Sequence, residues 1–170
     1  MRLQGIAWRF ADHVHADEAC QFYKNREIPL DEREALAGIC MSGYDPDFPN
    51  RAQEGDFIVS GRNFGWGQLH SHFYASIKAL GISAIIVESI NDRSYREAVN
   101  SGIRVILCPS TEAIQTGEPI EIDMERGGII RCRSGEVIPA ETGAPVIEEI
   151  VERGGIDEYL RARLKEEATR

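Results

Sequence analysis

An α/β fold with a mainly parallel sheet is the architecture this sequence predicts, and three observations predict it. Short apolar runs rich in β-formers recur at 56–60, 84–87 and 104–107, the mark of strands buried on both faces. Between them, 69–80 and 92–100 carry helical patterning and are long enough for the crossovers that join parallel strands. Beyond them, 119–123 and 129–133 flank Arg126-Gly127-Gly128, which predicts an antiparallel hairpin. The expectation is a βαβαβ unit with hairpin strands added. A chain of 170 residues has length for one real core and is short for two, so residues 1–170 are expected to form a single domain.

In chain order, 3–10 alternates enough to be a strand and runs into a polar loop, Asp12-His13-Val14-His15-Ala16-Asp17. Asp17 is placed to cap a following helix. Residues 21–27 are amphiphilic, Pro29 breaks any helix there, and 31–40 fits a short helix. Tyr44-Asp45-Pro46-Asp47-Phe48-Pro49 reads as a loop held extended by its prolines, of the kind that serves as a lid or a partner contact. Leu69, Phe73, Ile77 and Leu80 set the apolar face of the next helix, and Gly81 stops it. The tail, 144–165, predicts helices split at Gly154-Gly155.

The centre of the sequence is Gly61-Arg62-Asn63-Phe64-Gly65-Trp66-Gly67-Gln68-Leu69-His70-Ser71-His72. It lies between a strand and a helix start, where the first backbone N–H groups lack intrahelical partners and favour an anion. The turn therefore reads as a place to hold a phosphate or a carboxylate. Arg62, Asn63, Gln68, His70, Ser71 and His72 crowd it with more polar groups than a connection needs. Gly65-x-Gly67-x-x-His70, with Glu88 after the next strand, also imitates a dinucleotide fingerprint, although its third glycine is missing.

A formal net charge of −9 argues against nucleic acid or an anionic membrane as the main partner, because both select clustered Lys and Arg. No apolar stretch approaches spanning length and the N-terminus lacks a signal-peptide core, so a soluble cytoplasmic protein is expected. Cys20, Cys40, Cys108 and Cys132 are too dispersed for a metal knuckle or an iron–sulfur run. The histidines form the pairs His13/His15 and His70/His72 without supporting carboxylate spacing. No metal site is expected in this chain.

With these pieces in order the chain resembles the small subunit of 3-isopropylmalate dehydratase, the detached swivel domain of the aconitase superfamily. The matching residues are the loop from Asp12 to Asp17, the turn Gly61-x-Asn63-Phe64-Gly65-x-Gly67, the run from Ser89 to Tyr95 with Ala98, Asn100 and Gly102, and the ending Gly154-Gly155-Ile156-Asp157-Glu158-Tyr159. The resemblance implies an aconitase C-terminal-domain-like fold, a swivelling β/α domain closing over a larger subunit that carries a [4Fe–4S] cluster. It also implies a hydro-lyase that moves water across a carbon–carbon bond of a small hydroxycarboxylic acid, with a place in leucine biosynthesis.

The departures fall in the site. Where the family continues Gly-Ser-Ser-Arg-Glu-His, with a serine base and an arginine for a substrate carboxylate, this chain reads Gly67-Gln68-Leu69-His70-Ser71-His72. The early family pattern Asp-x-x-Asp-Thr-Asp becomes Asp12-His13-Val14-His15-Ala16-Asp17. One account is a rebuilt pocket: His70, Ser71 and His72 are the catalytic candidates, while Arg62, Asn63, Gly65, Gly67, Gln68, Asp12, His15 and Asp17 bind substrate. His13 joins the early-loop patch facing the partner. A histidine suits proton transfer because its unperturbed pKa of about 6.5 lies near working pH. The other account is a structural or regulatory partner subunit that has lost chemistry.

Overall fold

The computed structural model describes residues 2–123 and 125–168. Its seven strands form one sheet in the order β4-β3-β2-β1-β5-β6-β7. Strands β1 (Arg2–Arg9), β2 (Phe57–Ser60), β3 (Ala84–Val87) and β4 (Arg104–Leu107) run parallel. Strands β5 (Glu118–Asp123), β6 (Gly128–Arg131) and β7 (Val137–Pro139) continue it antiparallel. The parallel strands and the hairpin lie where the sequence places them. Every residue of β2 and β3 is buried, as befits strands covered on both faces.

One face carries Ile58, Ile85, Val87 and Val105 under helices. These include α5 (Ser71–Leu80) and α6 (Asp92–Asn100), the crossovers of the βαβαβ unit, and α3 (Arg33–Ile39), which packs on α5. On the other face Phe57, Val59, Ile86 and Ile106 meet Ile120, Ile122, Ile129 and Ile138 of the antiparallel half. The sheet thus folds over on itself. Leu107 and Glu141 exchange backbone hydrogen bonds of 2.8 Å each, tying the chain after β7 to the end of β4. That closure protects the outer strands, whose free edges would otherwise invite foreign pairing.

The tail forms α7 (Pro145–Glu152) and α8 (Ile156–Ala168), split at Gly154-Gly155 as expected. Ile150 and Val151 pack with Val99, Ile147 and Tyr159 against α6. The glycine pair has a steric cause: a Cβ on Gly155 would lie 2.4 Å from the carbonyl oxygen of Asn100.

Two sequence expectations are corrected, and one strand is added. The helix expected at 69–80 begins at Ser71, with His70 extended as its N-cap (φ −106°, ψ 154°), and Leu69 packs against the core from outside the helix. Pro49 does not hold its loop extended; it stands in the first turn of α4 (Phe48–Arg51), where its missing N–H costs nothing. Strand β7 was not foreseen, since only Ile138 of its residues is buried and Pro139 argues against a strand.

Candidate active site

The early loop and the glycine-rich turn form one structure. The backbone N–H of His13 donates to the carbonyl of Arg62 (2.8 Å), that of Gly65 to Val14 (2.9 Å) and that of Ala16 to Trp66 (3.1 Å). The indole Nε1 of Trp66 donates to the carbonyl of His13 (2.7 Å). His13 and Asn63, both left-handed (φ 59° and 56°), meet through Asn63 Nδ2 and His13 Nδ1 at 3.2 Å. Such conformations are uncommon outside glycine and persist where surrounding contacts over-determine them. Gly67 is fixed by the same junction: its φ is 84°, and a Cβ there would lie 2.1 Å from Nε2 of His15.

This zipping changes the role of the turn. Its amides were expected to face an anion, yet those of Arg62, Asn63, Phe64 and Gly65 donate to Asp12, Ser89 Oγ, the Ser89 carbonyl and Val14. The first half of the turn, Arg62 to Gly65, is satisfied by the protein itself and does not offer an open cradle. Glu88, the would-be ribose acid, accepts a hydrogen bond from Thr111 Oγ1 at 3.1 Å. Arg62 is likewise committed: its guanidinium donates to Asp12 Oδ2 through Nε (3.1 Å) and Nη2 (3.0 Å). The backbone amide and guanidinium of Arg62 hold the Asp12 carboxyl below the usual carboxylate range.

Asp17 is the centre of the arrangement and is not a helix cap. The cap of α1 (Ala16–Ala19) is His15, whose Nδ1 accepts from the Glu18 amide at 3.4 Å. Asp17, its side chain 1% exposed, turns inward and stands at the N-terminus of α5, the position favourable to an anion. Its Oδ1 accepts the backbone N–H of His70 at 3.2 Å, and Nδ1 of the same histidine lies 2.9 and 2.8 Å from its two oxygens. The His70 ring stacks on Phe22 of α2 (Phe22–Asn25), centroids 3.6 Å apart and planes 6° apart. Its side chain remains 41% exposed.

Beside this pair opens a cleft of about 710 Å³ lined by Asp17, Phe22, Tyr23, Lys24, Pro46 and Gln68, with His15 and Glu18 at its wall. Gln68 accepts the hydroxyl hydrogen of Tyr23. Lys24 is the one lysine or arginine among the lining residues, and its Nζ donates to Gln21 Oε1 at 2.7 Å. Ser71 is exposed in the first turn of α5. His72 lies on the same aromatic ring as His70 and is engaged elsewhere: its Nε2 lies 2.9 Å from the carbonyl of Ile28 and its ring meets the edge of Phe22, joining the 22–28 segment to the helix.

Asp12, His13, His15, Asp17, Arg62, Asn63, Gly65, Gly67, Gln68 and His70 therefore come together in one junction. Phe22, Tyr23 and Lys24 were not singled out from the sequence. Their signal was the aromatic pair inside an otherwise polar, amphiphilic stretch.

No family model matches the chain. The chain is 35% identical over 164 residues to 3-isopropylmalate dehydratase small subunit 1 of Archaeoglobus fulgidus, covering 96% of this chain and 99% of that one. It is 34% identical over 165 residues to the isopropylmalate/citramalate isomerase small subunit of Methanocaldococcus jannaschii, covering 96% of each. A crystal structure of 3-isopropylmalate dehydratase from the same organism matches with a TM-score of 0.91 and 33% identity, over 99% of both chains.

Proposed function

The chain belongs to the family of 3-isopropylmalate dehydratase small subunits, and from that membership we propose that it is one half of a two-subunit hydro-lyase acting on a small hydroxycarboxylic acid. Residues 1–170 act in this reading as one swivelling unit that closes over a larger subunit in the cytoplasm. The observation that carries the reading is the end-to-end likeness, with 99% coverage of both chains in the structural comparison. No described helix is long and apolar enough to cross a membrane.

The chemistry this chain brings is a proton acceptor beside a cleft. Dehydration removes a proton from one carbon and a hydroxyl from its neighbour, leaving a double bond and water. His70 is the group suited to the first part, with its Nδ1 bound to Asp17, its other nitrogen without a partner among the described residues, and its side chain 41% exposed. Lys24 is placed to hold a substrate carboxylate, since Arg62 is engaged by Asp12. Ser71 remains a candidate for the same proton from the helix start.

The described residues do not fit an iron–sulfur cluster, which is held by several thiolates. Burial, with Asp17 nearby, pushes the Cys20 thiol up to about 12, and burial raises Cys40 as well. No group of three or more His, Cys, Asp or Glu among the described residues could hold a metal ion. Any cluster is then the larger subunit's, and none of this chain's steps runs through it.

The test is oxygen-free capture of the tagged chain from its own cells, followed by iron and sulfide analysis. A larger companion holding about four irons supports the two-subunit hydro-lyase. A chain that elutes alone removes that reading. Dehydration of candidate hydroxy acids is then screened on the captured complex.

A further inference from the structure

We propose that Asp17 is the positioning residue for His70: its buried carboxylate keeps a hydrogen on Nδ1 of the imidazole, so that the neutral ring carries its lone pair on Nε2. The inference deepens the assignment of His70 as proton acceptor, and its kinetic arm rests on that assignment.

The donor inventory decides the tautomer. An ionised carboxylate only accepts hydrogen bonds, so the nitrogen facing it at 2.8 Å must carry the hydrogen. In the opposite form a lone pair would face a lone pair at that distance. Burial strengthens the demand, because a carboxylate taken out of water needs donors, and His70 supplies two, one from its backbone and one from its ring. No other side chain among the described residues donates to the Asp17 carboxylate. Phe22 supplies the second restraint, since a ring lying parallel at 3.6 Å resists the rotation about Cβ–Cγ that would exchange Nδ1 with Cδ2. The remaining nitrogen, Nε2, has no partner among the described residues, and a neutral imidazole with that nitrogen bare can take a proton.

Sequence position alone hides this relation. Asp17 precedes His70 by 53 residues, and the two meet only because the early loop is zipped to the turn. His70 is extended as the N-cap of α5, and from there its amide and its ring both reach the one carboxylate.

The experiment is long-range ¹H–¹⁵N correlation of the imidazole nitrogens in the uniformly labelled full chain, with His70→Gln assigning the signal. Recorded along a pH series up to the singly protonated ring, His70 is expected to keep the hydrogen on Nδ1 throughout and to lose it from Nε2. In Asp17→Asn the population should move toward the Nε2–H form, whereas Phe22→Leu should keep the Nδ1–H form because the carboxylate remains. A wild-type ring in the Nε2–H form overturns the proposal, as does an Asp17→Asn spectrum identical to wild type. Should Asp17→Asn fail to fold, the wild-type tautomer still decides. In the assembled complex, Asp17→Asn is expected to lower kcat by about tenfold or more with KM little changed. A tautomer shift with unchanged turnover supports the hold of Asp17 on the ring and instead removes His70 from proton transfer.

Discussion

At the scale of single residues, the site is a set of polar groups already matched to one another, and the consequences of change follow from who is left without a partner. His70→Ala removes the proton acceptor of the proposed reaction, so turnover of the assembled enzyme should fall by a factor of about 10² or more while thermal unfolding of the isolated chain shows a folded protein. Turnover equal to wild type would return the chain to a structural or regulatory role. Lys24→Ala should raise KM several-fold with kcat nearly unchanged, because the cleft then has no lysine or arginine for a substrate carboxylate; steady-state kinetics separates the two parameters. Gly67→Ala adds a Cβ 2.1 Å from Nε2 of His15 at a left-handed backbone position. It should destabilise the chain by about 1–3 kcal/mol, read as a lower urea midpoint.

The pair of Asp12 and Arg62 carries a pH dependence with a definite sign. The folded value of Asp12 lies below its unfolded one, first through the Arg62 amide and then through the guanidinium. Its contribution is therefore complete above the ordinary aspartate value of about 3.9 and is lost as pH falls through the lower folded value. Asp12→Asn should flatten stability against pH in that acidic window. An unchanged slope would show that the pair does not couple to folding.

At the scale of elements, legibility in the sequence tracked how local the cause was. Strands at 84–87 and 104–107 and the helix stop at Gly81 stand where patterning puts them, because burial on both faces and a left-handed cap are written in adjacent residues. The start of α5 was misjudged by two residues since what pulls His70 out of the helix is Asp17, far away in sequence. Likewise, nothing within 61–70 says that its amides are taken by Val14, Asp12 and Ser89. The residues that meet in the candidate site stood out in the sequence as unusual polar density in a turn. Their pairings did not, and it is the pairings that separate a carboxylate-bound histidine from a metal pair or a phosphate cradle. On α5 itself, Ile77 is fully buried in the helix-side core; Ile77→Ala should cost about 2–5 kcal/mol by denaturant unfolding, through lost burial and a residual cavity.

At the scale of the whole molecule, the two cores lie on opposite faces of one sheet, and the candidate site sits in loops at the ends of the parallel strands. Such placement is general for open α/β sheets, whose ligands gather beyond the carboxyl ends of the strands. The chain's end-to-end likeness to its relatives extends over that whole scaffold, while chemistry is argued from the side chains that the scaffold carries.

The position of β1 also sets a timetable. It lies mid-sheet, with Ala7 facing Phe57 on one side and Leu3 facing Ile122 on the other. A growing chain therefore exposes this strand early, long before its second neighbour exists, and the sheet cannot be completed until the hairpin and the Glu141 bridge have been made. Contacts so distant along the chain slow folding, because the entropy of closing the intervening loops is lost before the pairing repays it. Nascent chains halted before residue 118 should remain open to protease along 2–9, and those released beyond 141 should not.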